Sequence, residues 1–207
     1  MKVKFGIGCL SFACAGALFC AVAWSQEEGK DQEKAADPKA AMMEMMEKMG
    51  AAPGEHHKKL EPFVGDWKLA VKYRMEPEGE WQESMSESEI EWMFDGRYIK
   101  EEVEGEMMED MKFKGLGITG YDNLKNKYVS VWLDNMGTSL MTSEGTCDES
   151  CKVFTLTGEH IDPMTGKTQK DRTVLRILNN DKHVMEMYMT GPDGKEFKSM
   201  EIVYTRA

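Results

Sequence analysis

The chain has 207 residues, 30% of them charged and 41% hydrophobic, with a formal net charge of −11. An acidic chain of that kind repels phosphate backbones, so nucleic-acid binding is not expected. After residue 23 no apolar run approaches the roughly 20 residues that cross a bilayer as a helix, so no stable membrane anchor is expected either.

Taken in chain order, the first four residues carry Lys2 and Lys4, residues 5–23 are apolar and small, and Ala21-Val22-Ala23 is an A-x-A cleavage pattern. That arrangement predicts a secretory signal peptide over 1–23 and hence an exported, periplasmic or secreted bacterial protein. Loss of the two lysines takes the net charge from −11 to −13. Cys9, Cys14 and Cys20 leave with this segment, and Phe19 before Cys20 is too bulky for a lipoprotein site.

Residues 24–54 are rich in Glu, Lys and Ala and lack core-forming aromatics, which predicts a flexible linker. One short helix is expected near 38–49, where Asp37 caps, Pro38 suits the first helical position and Gly50 stops the run. Met42, Met45, Met46 and Met49 recur there at helical spacing, with His56 and His57 close behind. Thioether and imidazole groups hold copper(I) in exported proteins, so metal handling by this arm is a second functional reading beside the bland one of methionines as helix formers and gap-fillers.

From residue 55 the pattern changes to short alternating segments, and turn signals divide the chain into about ten strands. The turns include Glu76-Pro77-Glu78-Gly79, Asp95-Gly96, Asp122-Asn123, Asp148-Glu149-Ser150, Asp162-Pro163-Met164-Thr165-Gly166 and Pro192-Asp193-Gly194, and a further break falls near 107–110. Such short connections force antiparallel neighbours, and a meander without crossovers removes its edges by closing on itself. The fold class expected is therefore all-β, an antiparallel barrel over 55–207. Cys147 and Cys151 flank a three-residue turn, which predicts a cross-hairpin disulfide contributing about 2 kcal/mol at best.

Parity assigns the faces. On the first strand Trp67, Leu69, Val71, Tyr73 and Met75 point to the core and Lys68, Lys72 and Arg74 outward. A turn at Asp95-Gly96 pairs Trp92 with Ile99 and Ser88 with Val103 inside, and sets Glu89 against Glu102 and Glu87 against Glu104 outside. Like charges facing each other are unfavourable, so basic residues of the neighbouring strands, Lys68, Lys72, Arg74, Lys112 and Lys114, are expected to compensate in preference to a bound cation. On the last three strands the favoured inward set is Met185, Met187, Met189, Met200, Ile202 and Tyr204, grouped with Val174, Leu178, Arg172 and Arg176. That choice gives a soft lumen with an arginine to meet an anionic head group. In the other reading the arginines point to solvent or pair with an inward Glu101, and the methionines only fill space.

Gly65-Asp66-Trp67 at the start of the first strand, with Arg206 near the end of the chain, resembles the calycin superfamily of lipocalin and fatty-acid-binding barrels. The resemblance implies a barrel in which Arg206 lies over Trp67 in a cation–π contact. More specifically, 55–207 resembles a bacterial family catalogued as domain of unknown function number 1579, through Gly117-Ile118-Thr119-Gly120-Tyr121-Asp122, Asp162-Pro163-Met164-Thr165-Gly166-Lys167 and Gly191-Pro192-Asp193-Gly194-Lys195-Glu196-Phe197. This family implies fold and export and brings no activity. The chain departs from the fatty-acid-binding pattern in two ways: it has no helical lid between strands one and two, and Ile202-Val203-Tyr204 stands where an Arg-x-Tyr anion anchor belongs.

No G-x-S-x-G and no H-x-x-x-H spacing occurs, and no cofactor motif is present. His56, His57, His160 and His183 are read as surface or turn residues. The expectation is a non-catalytic barrel without a cofactor, holding a small apolar or acyl-chain ligand in a lumen formed by Trp67, Tyr73, Trp92, Arg172, Arg176, Met185, Met187, Met200 and Tyr204. A packed structural or interaction module is the further alternative.

Overall fold

Ten strands follow one another along the chain, and each pairs with its sequence neighbour. In the computed structural model they are β1 (Gly65–Tyr73), β2 (Gln82–Met93), β3 (Tyr98–Met108), β4 (Met111–Asp122), β5 (Lys127–Asp134), β6 (Met141–Cys147), β7 (Val153–Ile161), β8 (Thr168–Asn179), β9 (Lys182–Thr190) and β10 (Glu196–Arg206). All ladders are antiparallel, and β10 returns to pair with β1, so the sheet is a closed barrel. Two short helices, α1 (Pro38–Lys48) and α2 (Glu55–Lys58), and a 3-10 turn at Glu61–Phe63 precede it. The structure describes residues 37–108, 111–161 and 166–207, without the side chains of 107 and 108. The expected signal peptide, the first part of the linker, the turn at 162–165 and the break at 109–110 lie outside those residues.

Alternation sorts the strands as the physics of a pleated sheet requires. On β1 Trp67 and Leu69 are buried while Lys68 and Lys72 face out. The β2–β3 register pairs Trp92 with Ile99, Ser88 with Val103, Glu89 with Glu102 and Glu87 with Glu104, as expected from the turn. That turn is longer than two residues, however: 94–97 form it, and Phe94, Asp95 and Gly96 all take positive φ. Outside, Lys114 pairs with Glu104, Lys72 with Glu83 at 2.8 Å, and Lys100 with both Glu91 and Glu102. Arg74 does not join them. Its Nε donates to the Lys198 carbonyl and its guanidinium lies 4.7 Å over the Trp81 ring.

One end of the barrel is plugged. Helix α2 and the 3-10 turn send Leu60 and Phe63 into the base, where Leu60 is 1% exposed and Phe63 meets Phe154 edge to face. This helical piece stands before β1, not between strands one and two. The expected linker to 54 is docked at its end: Asn123 Nδ2 donates to the carbonyls of Gly50 and Ala52, and Arg97 Nε to that of Ala51. Helix α1 itself is exposed along its length.

The seam between β1 and β10 is closed by Arg206. Its guanidinium lies 4.2 Å over the Trp67 ring, donates to the carbonyls of Val64 and Asn180, and leaves Trp67 1% exposed. Trp67 Nε1 donates to the Phe63 carbonyl at 2.7 Å. A Cβ on Gly65 would stand 2.4 Å from Arg206 Nη1, at a φ of +128, so only glycine fits two residues before the tryptophan. Cys147 and Cys151 face each other across their turn with Cα atoms 4.9 Å apart.

Candidate functional site

Inward positions of the strands enclose a cavity of about 450 Å³. Its wall is mostly apolar, with Leu69 and Val71 from β1, Val103 from β3, Leu156 from β7 and Met185 and Met187 from β9. The plug residues Leu60 and Phe63 form its floor, and Tyr73, Met75 and Glu106 lie toward the opposite end.

A polar group is set into this apolar wall. Glu101 is inward because Ile99 and Val103, two residues to either side, are core residues. Ser88 Oγ donates to Glu101 Oε1 at 2.9 Å, and the Tyr204 hydroxyl hydrogen-bonds the same carboxyl. Burial raises the Glu101 pKa, opposed by these two hydroxyls, and burial together with the Glu101 charge raises that of Tyr204 well above its ordinary value. Tyr204 stacks on His183, with ring centroids 4.1 Å apart, and His183 meets Trp67 edge to face at 4.4 Å. Burial, with help from the Arg206 charge, pushes the His183 pKa down to about 3. Its Nδ1 has no hydrogen-bond partner among the described residues.

Of the residues expected to form the lumen, Tyr73, Met185, Met187, Met200 and Tyr204 line the cavity. Trp67 and Trp92 do not. Trp67 sits beneath Arg206 at the plugged end, and Trp92 Nε1 donates to Glu61 Oε2 beside the plug. Arg172 and Arg176 are on the outer face, which corrects the expectation of an inward arginine. Arg172 Nε donates to Glu196 at 2.9 Å and lies 4.0 Å over the Tyr188 ring, and Arg176 Nε donates to Glu186. The cause is a single irregularity in the ladder. Asn179 pairs with Lys182 but Ile177 pairs with His183, so β8 slips by one residue and every side chain beyond changes face. Thr173 and Leu175 line the lumen in place of Arg172 and Arg176, and Leu178 is exposed.

His57 and His183 are buried at 4% and 2% exposure, which corrects their reading as surface or turn residues. His57 Nδ1 accepts from the Gly54 amide, and His56 stacks on Tyr121 at 4.3 Å. Met42, Met45, Met46 and Met49 are all exposed on or just after α1. Among the described residues, no group of three His, Cys, Asp or Glu side chains is placed to hold a metal.

A family described as a protein of unknown function, DUF1579, matches residues 52–206, from the docked end of the linker to the closing arginine. The chain belongs to that family. No curated protein matches the chain. The family boundary includes the plug as well as the strands, consistent with α2 and the 3-10 turn being part of the barrel. Sequence reasoning missed the plug, although Leu60 and Phe63 at i and i+3 around Pro62 are its signal. It also missed Asp134 and Asp171, which line the cavity with Glu101 and Glu106.

Proposed function

We propose that the barrel is a non-catalytic carrier or sensor that holds a small, largely apolar molecule in its lumen, and that the chain is exported. The observation that carries the ligand reading is the cavity of about 450 Å³, a size within the roughly 300–1,000 Å³ usual for small-molecule sites. Methionines on β9 and β10 give it an adaptable wall, and the plug gives it a floor. Export is supported by the two lysines, the apolar stretch and the A-x-A of residues 1–23. A disulfide between Cys147 and Cys151 suits an oxidising compartment.

Native mass spectrometry of the protein purified from its own host tests the lumen directly, and an adduct lost on denaturation is expected. In parallel, the neutral fluorophore N-phenyl-1-naphthylamine is expected to bind one-to-one and to bind more weakly to Met187→Trp, which narrows the cavity. Absence of any adduct together with probe binding that Met187→Trp leaves unchanged would refute the lumen reading. N-terminal sequencing of the exported fraction is expected to begin at Trp24; a chain found only with residues 1–23 attached and inside the cell would refute export.

A further inference from the structure

We infer that the lumen selects a hydrophobic amine, an apolar body bearing a protonated nitrogen that is seated on Glu101. The inference rests on the lumen reading above and names the chemical class of its ligand. Its first support is the sign of the wall. Among the described residues, the acidic ones lining the cavity are Glu101, Glu106, Asp134 and Asp171, and neither lysine nor arginine lines it. The arginines expected inside are held outside by Glu196 and Glu186. A ligand carboxylate therefore meets no counter-ion and adds one more negative charge to the cavity, whereas an ammonium finds its partner already in place.

The second support is where the polar groups lie. Glu101 is set among apolar side chains on the inner face of β3, with hydroxyls from Ser88 and Tyr204 as its partners. Such an environment suits a carboxyl that receives a further donor better than one left alone. His183, 2% exposed and lining the same cavity, keeps a buried Nδ1 without a hydrogen-bond partner among the described residues. That nitrogen has no surface open to the cavity, so the ammonium is seated on Glu101 and not on the ring. Tyr204 joins the two groups, since it stacks on His183 and hydrogen-bonds Glu101. Toward the open end Glu106, Asp134 and Asp171 draw cations inward.

The test is competition of decylamine, decanol and decanoate against N-phenyl-1-naphthylamine on the full chain at pH 7, with Glu101→Gln beside the wild type. The amine is expected to displace the probe at least about tenfold more tightly than the carboxylate, with the alcohol between them. Glu101→Gln is expected to bring amine and alcohol to within about twofold while still binding the probe. A second readout is pH: between pH 5 and pH 8 amine affinity falls on acidification more in the wild type than in Glu101→Gln, while alcohol affinity stays flat in both. His183 and Tyr204 keep one protonation state over that range, and the three other carboxyls are present in both proteins and cancel in the Gln comparison. Probe and alcohol binding with the amine no tighter than the carboxylate overturns this inference and leaves the lumen reading standing. An amine preference that survives Glu101→Gln, with the same pH dependence in both proteins, also overturns it. Failure of the probe and of all three ligands to bind overturns both.

Discussion

Acid should weaken this barrel through one ring. His183 is buried between Trp67, Phe63 and Tyr204, and its pKa falls from 6.5 to about 3. The unfolded chain takes up a proton on this histidine below pH 6.5, while the folded chain does not until about pH 3. Between those values the unfolded state binds more protons, so the stability that the neutral ring allows is present above pH 6.5 and is lost as pH falls through the window. Each pH unit within it costs about 1.4 kcal/mol, so moving from pH 7 to pH 5 costs about 2 kcal/mol. His183→Phe keeps a ring in the stack and removes both nitrogens, including the one without a partner. Urea unfolding of both proteins at pH 7, 6 and 5 should show the variant gaining about 2 kcal/mol on the wild type across the series. Every other titrating group is common to the two and cancels. Stability curves that run parallel would refute the buried neutral histidine.

The remaining predictions concern the seam, the lumen and the cysteines. Gly65→Ala should cost about 2 kcal/mol or more, because its Cβ meets Arg206 Nη1 at a φ that side chains avoid; thermal unfolding checks it. Arg206→Ala should cost about 2 kcal/mol and expose Trp67, seen as a red shift of its fluorescence. Glu101→Gln should stabilise the protein more at pH 8 than at pH 5. The wild-type carboxyl, raised above 4.5, contributes stability below that value and loses it as pH rises through the folded pKa. The sign is opposite to that of His183, and melting temperatures at the two pH values separate them. Reductant should lower the unfolding free energy by about 2 kcal/mol or less if Cys147 and Cys151 are bonded, and identical curves with and without it would exclude the bridge.

The strand count, the closure and the β2–β3 register were legible because they depend on local alternation and turn length, which the chain states residue by residue. So was the cap of Arg206 on Trp67, through the resemblance carried by Gly65-Asp66-Trp67. The face of β8 was not. Its inward residues follow from a one-residue slip between Ile177 and Asn179, and nothing in Leu178-Asn179-Asn180 distinguishes a slipped ladder from a regular one. The lumen's charge depended on that slip, since it moved Arg172 and Arg176 outside and brought Asp171 to the cavity wall. Glu101 was readable as inward from the same turn that set Ser88 against Val103. What parity could not supply was its company: Tyr204 and His183 come from the far end of the chain, and only closure brings them to it.

That closure also governs when the protein can exist. The hydrogen bond from Arg206 to the Val64 carbonyl joins residues 142 apart in sequence, and the last strand of the barrel to be made is the one that completes the ring. Until β10 arrives, β1 and β9 each present an unpaired edge, Trp67 lacks its cover, and Glu101 lacks the Tyr204 hydroxyl. The barrel so arranged cannot close until that strand has been made. Its half-made form offers two sticky edges to any neighbour, and a stop codon that removes the final dozen residues would leave an aggregation-prone open sheet where a shorter meander might have been hoped for.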